Sequence, residues 1–129
     1  MAKLTKTQAT FRKIIRDVKT RKKDWWLTFE QWEKLAGEDC FYCGLPPSNE
    51  YREFKYQGID RINSKGGYEV DNVLPCCKHC NAIRGTMDFK IWLTWLNQVK
   101  NVQSDFSKFE LFKLDDEKFK NRKTIWRGR

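Results

Sequence analysis

Histidine is nearly missing from this sequence, with His79 the sole example in 129 residues. A metal site built from several imidazoles is thereby excluded, and acid–base work falls to that one ring or to other side chains. Long apolar runs are missing too. No early hydrophobic stretch has the form of a signal peptide and none is long enough to span a bilayer, so the expectation is a cytoplasmic protein with no membrane partner. Internal repeats and low-complexity tracts are also lacking. Acidic residues are scarce at both ends: Asp17 alone opposes Lys3, Lys6, Arg12, Lys13, Arg16, Lys19, Arg21, Lys22 and Lys23, and after Glu117 nothing opposes Lys118, Lys120, Arg122, Lys123, Arg127 and Arg129.

That imbalance sets the partner class. With 26 Lys and Arg against 17 Asp and Glu the net charge is +9 and the pI near 9.4, a field that attracts polyanions. A single basic cluster reads equally well as a solvated arm. Two clusters with Trp25, Trp26 and Trp126 close by favour nucleic acid, and Arg12, Arg16, Lys19, Lys22, Lys23, Arg84, Arg122, Lys123 and Arg127 are the candidate contacts. DNA is the first candidate and RNA the second. The sequence does not decide between monomer and dimer.

Cysteine is where the sequence is specific. Four of its five cysteines form two pairs, Cys40-x2-Cys43 and Cys77-x2-Cys80. An odd count arranged in this way argues for thiolates on a metal in a reducing compartment more than for a disulfide framework. Two intervening residues let a tight turn aim both sulfurs at one ion, and four thiolates at about 2.3 Å saturate a tetrahedral zinc with no position left for substrate. The zinc is then structural. A redox pair would need only one such motif, and a disulfide an oxidising compartment. Cys76 is the spare, read as a small buried apolar residue, although a Cys76-x3-Cys80 grip is an alternative. His79, inside the second pair, is expected to be exposed or to support the ligands from just outside them, with zinc ligation the lesser option.

Periodicity supplies the frame. Phe11, Ile14, Ile15 and Val18 recur at helical spacing between Thr5 and about Lys23. Thr28-Phe-Glu-Gln31 has the form of a capping box opening a short helix closed by Gly37. Asp39 to Gly58 reads as loop. Gln57 to Ile62 and Glu69 to Pro75 read as two strands of a hairpin, and a short helix runs from near Cys77 to Gly85. Asp88 caps a last helix whose stripe of Phe89, Trp92, Leu93, Leu96 and Val99 is expected to be core. Phe106, Phe109 and Phe112 recur every third residue and are read as pinning the C-terminal segment. The result is an α+β chain: a basic N-terminal helical arm over 1–38, a zinc-bound module over 39–87, and a C-terminal helix with a basic aromatic tail over 88–129.

Between the cysteine pairs run Gly58-Ile-Asp-Arg-Ile-Asn63, Gly66-Gly-Tyr68, Asn72-Val73 and Cys77-Lys-His-Cys-Asn81. From Asp39 to Met87 this resembles the HNH, or ββα-metal, endonuclease family, and in its Asp-Arg-Ile, Gly-Tyr and Asn-Val elements a variant common among phage-encoded members. The resemblance implies a zinc-stabilised ββα-metal module, a virus-encoded protein acting in a host cell, and hydrolysis of phosphodiester bonds in DNA with Mg2+ or Mn2+. It implies Asp60 and Asn81 as ligands of that divalent ion, Asn72 as a brace of the loop, and Arg61 standing where the family usually has its water-activating histidine. Arginine is a phosphate clamp and not a base near neutral pH. A catalytically inactive nucleic-acid-binding module is therefore the alternative, and a purely structural zinc protein a third. Each candidate also has an ordinary structural role available, with Asp60 pairing with Arg61 and both asparagines serving as turn or helix-start residues.

Overall fold

The computed structural model describes residues 3–102. Both N-terminal helices begin where side chains satisfy free backbone N–H groups. Thr5 and Gln8 close a capping box on α1 (Lys6–Thr20), and Thr28 and Gln31 close another on α2 (Phe29–Ala36). Their apolar faces meet through rings: Phe11 lies 5.3 Å from Phe29 and 5.4 Å from Trp32, spacings at which aromatic pairs add to area burial. Trp32 is fully buried, so truncating it to alanine costs about 3–5 kcal/mol.

Two small antiparallel sheets follow. In the first, β1 (Asn49–Tyr51) pairs with β2 (Phe54–Tyr56), within a stretch that the sequence reads as loop. Its turn explains the difference. Arg52 and Glu53 sit at φ +49° and +67°, which a two-residue hairpin requires but for which Gly, Asn or Asp is the usual signal. In the second sheet β3 (Ile59–Arg61) pairs with β4 (Val73–Pro75), placing Asp60 opposite Leu74. A 3-10 turn, Val70–Asn72, leads into β4.

The helices share a core with this second hairpin. Val18, Leu27, Tyr68 and Val73 are buried together, with Ile14, Trp25, Leu35 and Ile59 packed against them. Gln57, fully buried, ties three segments: its N–H donates to Ala36 O, and its amide Nε2 to Glu38 O and Leu45 O. Helix α3 (Lys78–Arg84) ends at Gly85, whose φ of +56° and ψ of −123° side chains rarely adopt.

The chain divides into two units after Leu93. In the first, Trp92 of α4 (Phe89–Asn101) is buried edge-on to Tyr42 at 5.4 Å. The rest of the expected stripe differs: Phe89 and Leu96 are half-buried, and Leu93 and Val99 are exposed. A 3.6-residue period shows which residues share a face, and how many of them are covered depends on what packs there. The second unit is described over 94–102, which completes α4. Arg122, Lys123, Arg127, Phe106, Phe109 and Phe112 lie outside the described residues.

Relieving the positive φ at the β1–β2 turn tests the hairpin. Glu53→Gly is expected to stabilise the protein by about 0.5–1 kcal/mol, the cost of holding an L-residue there less the entropy glycine adds to the unfolded chain. Its exposed bond to Lys6 contributes little to set against this. Chemical denaturation of the two proteins checks it.

Candidate metal centres at the hairpin end

The first cysteine pair sits on a turn held at both ends. Gly44 N–H donates to Cys40 O, Cys40 N–H to Leu45 O, and Phe41 N–H to Pro75 O, which fastens the turn to the end of β4. The second pair opens α3. Cys77 is its N-cap and its sulfur accepts from Cys80 N–H at 3.4 Å. The four sulfurs lie within 4.8 Å of one another, and Cys43 and Cys77 are 3.7 Å apart. A tetrahedral zinc with bonds of about 2.3 Å puts its sulfurs about 3.8 Å apart. The donor set therefore fits zinc, and among the described residues it is the one group of three or more metal-ligating side chains gathered about a point.

The neighbouring Cys80 thiol, together with the Cys80 N–H, lowers Cys77 to about 5 against the opposing effect of burial. Cys76 lies outside the set. It is buried, donates to Cys77 O at 3.3 Å, and burial pushes its thiol up. Of the readings for His79 the exposed one fails: it is 5% exposed and is not among the gathered ligands. Residues 76, 77, 79 and 80 are all buried, because the first turn of α3 packs inward and carries the histidine with it.

Just beyond the sulfurs lies the end of β3. Asp60 is 5% exposed, and its Oδ2 accepts from Tyr42 Oη and from Arg84 Nη1, each at 2.6 Å. Its ionic partner is thus Arg84 and not the adjacent Arg61. Arg84 is buried as well, so it is not the exposed phosphate contact that its charge proposes. Its guanidinium also donates to Arg61 O, Ile62 O and Met87 O, bolting α3 to the end of β3. Removing one partner of such a buried pair costs about 3–5 kcal/mol.

The loop after β3 is braced from inside. Asn72 Oδ1 accepts from Asn63 N–H at 2.8 Å, and its Nδ2 donates to Asn63 O and Gly67 O. A Cβ at Gly66 would stand 2.9 Å from that Nδ2, so glycine is what admits the amide. Arg61 lies over the Tyr68 ring at 5.2 Å and donates to Gly66 O. Asn81 is exposed on α3, one turn ahead of Arg84.

Tyr42 is the residue the sequence reading missed. Burial first, and then its bond to the Asp60 carboxylate, push its phenol well above the ordinary tyrosine value. It keeps its proton and is a donor here, not a base. Apart from these groups, Arg12, Arg16 and Lys19 lie along α1 and line an open hollow of about 590 Å³ with Ile15 and Thr20. Lys22 and Lys23 are exposed just beyond the helix.

This arrangement was compared with known proteins. No protein-family model matches the chain. The solved structure of the rare-cutting HNH restriction endonuclease PacI superposes with a TM-score of 0.57 at 19% identity, covering 76% of this chain and 79% of that one. The SPbeta prophage-derived protein YoqL of Bacillus subtilis (strain 168), named as an HNH endonuclease, is 30% identical over 88 residues. The chain is related to the HNH endonucleases. An uncharacterised protein of Acanthamoeba polyphaga mimivirus is 32% identical over 75 residues. These alignments cover 61% and 58% of this chain, and only 37% of the prophage protein and 13% of the mimivirus one. An HNH fold thus frames the two features described above, the sulfur cluster and the buried carboxylate. Among the described residues no helix is long and apolar enough to cross a membrane.

One zinc per chain is expected by elemental analysis, lost on changing Cys40, Cys43, Cys77 or Cys80 to serine and kept by Cys76→Ser. Because the Cys77 thiol is depressed to about 5, the stability linked to its ionised form is fully present above its higher unfolded-state value and is lost progressively as pH falls from there through about 5. Zinc uptake by stripped protein needs all four thiols ionised, with Cys43 raised chiefly by burial and Cys80 chiefly by the neighbouring Cys77 sulfur, and is expected to weaken steadily as pH falls.

Proposed function

We propose that this protein is a divalent-metal-dependent DNA endonuclease of the HNH type. The observation that carries this reading is Asp60: a buried carboxylate at a hairpin end, fastened to α3 one turn from the exposed amide of Asn81, on an HNH fold. The oxygen donors of Asp60 and Asn81 suit Mg2+ or Mn2+. When bound there, the cation supplies Lewis-acid polarisation of the scissile phosphate and stabilisation of the leaving oxygen. The chain's own residues do the rest. Asn72 fixes the loop that follows Asp60, Arg84 holds strand and helix in register, and Arg61 spends one bond on Gly66 O while its other donors serve a phosphate. Arg12, Arg16, Lys19, Lys22 and Lys23 hold the nucleic-acid backbone. Arg61 stands where the family usually has its water-activating histidine and is no base near neutral pH, and a missing general base typically lowers rate by about 10²- to 10⁴-fold. Turnover is accordingly slow. The prophage and mimivirus relatives support a virus-encoded origin.

One observation favours a second reading. The buried Arg84 already neutralises Asp60, as suits a catalytically silent module that binds nucleic acid through its basic helix. Binding would then fall steeply with salt and ignore Mg2+.

Supercoiled plasmid incubated with zinc-loaded protein decides between them. Slow nicking or linearisation with Mn2+ or Mg2+ is expected, abolished in Asp60→Asn and Asn81→Ala. The asparagine replacement keeps an oxygen acceptor for Tyr42 and Arg84 but removes the charge facing Arg84. Asn81 is exposed, so Asn81→Ala is the cleaner control, with zinc content and unfolding midpoint measured for both. Wild-type protein that binds plasmid but leaves it intact at every pH and metal tried would contradict the enzyme reading.

A further inference from the structure

The Tyr42 hydroxyl lies 2.6 Å from Asp60 Oδ2, although the divalent site described above needs only Asp60 and Asn81. The tyrosine stands between Cys40 and Cys43, so the turn that presents two sulfurs also sets the position of its ring. Edge-on contacts with Phe41 at 5.5 Å and Trp92 at 5.4 Å hold that ring from two sides. Arg84 Nη1 reaches the same carboxylate oxygen, also at 2.6 Å. Two short bonds, one from a cation and one from a phenol, occupy Oδ2 and leave the Asp60 torsions little freedom. Oδ1 has no donor among the described residues, and the side chain retains 7% exposure.

We infer that Tyr42 is a positioning residue: with Arg84 it holds Oδ2, so that Asp60 presents Oδ1 alone as a one-oxygen ligand, and it transmits the placement of the sulfur centre to that oxygen. The inference rests on the reading of Asp60 as a divalent-metal ligand. Arg84 has several acceptors and a plain structural role, whereas the Tyr42 hydroxyl has one partner at this site. Tyr42→Phe therefore deletes a single contact and keeps both ring packings. Partners that orient a ligating carboxylate are typically worth about 10- to 100-fold in metal affinity.

The test is Mn2+ binding by electron paramagnetic resonance on the zinc-loaded full chain. Wild type is expected to bind one Mn2+, and Tyr42→Phe to keep its zinc and a cooperative unfolding transition, at a somewhat lower midpoint, while binding Mn2+ about 10- to 100-fold more weakly. A crystal structure with Mn2+ is expected to show the ion on Oδ1 with the Tyr42 hydroxyl still on Oδ2. Equal or tighter Mn2+ binding by Tyr42→Phe overturns the inference alone, as does an ion on both oxygens with Tyr42 displaced. Loss of zinc from Tyr42→Phe also overturns it, since the hydroxyl would then serve the fold. A wild type with no Mn2+ at Asp60 overturns the divalent-site reading and this inference together.

Discussion

The convergence of four cysteine sulfurs is the constraint on which the remainder of this fold depends. Its hairpins are three residues per strand and its inner helix seven, too short to be stable alone. A metal on the four thiolates closes a loop between residues 34 apart, Cys43 and Cys77. By the chain-entropy argument that closure is worth on the order of 3–4 kcal/mol. It also joins the turn after α2 to the start of α3, and so decides where the end of β3 falls between them.

What the clamp organises is a buried ion pair, an arrangement whose net contribution to stability is small because desolvation offsets attraction. Its contribution here is geometric. Arg84 touches the carboxylate of Asp60 and three backbone carbonyls, so a helix with little apolar surface is still held at a fixed place beside a strand. Tyr42 reaches the same oxygen from the opposite segment. The oxygen-bearing end is therefore fastened to both halves of the sulfur cluster, and a carboxylate fixed in advance needs no ordering when a cation arrives.

Much of this was legible in the sequence, wherever the signal was local. The capping box on α2, both cysteine pairs and the β3–β4 hairpin follow from spacing and turn chemistry within a few residues. The β1–β2 hairpin was not, because Arg52 and Glu53 adopt positive φ without the glycine or asparagine that advertises it. Tyr42 and Arg84 escaped for another reason: their contacts with Asp60 span 18 and 24 residues, and no local pattern encodes such a meeting. A signal did exist for Arg84, four residues after a zinc-ligand cysteine on a short helix and hence on its inner face. Its charge was read for phosphate because an arginine in a basic chain is more often exposed than buried. Helix α4 shows the limit of periodicity, which found the stripe but not its exposure.

The account's central claim is that the sulfur centre holds the hairpin end in place. Amide hydrogen exchange on zinc-loaded and chelator-stripped protein tests it most directly, read at Arg61, Ile62 and Asn63, with the middle of α1 as internal reference. Removal of zinc is predicted to abolish protection at the hairpin end first and most strongly, while α1 keeps more of its own. Unchanged protection at Ile62 and Asn63 in metal-free protein would contradict the account.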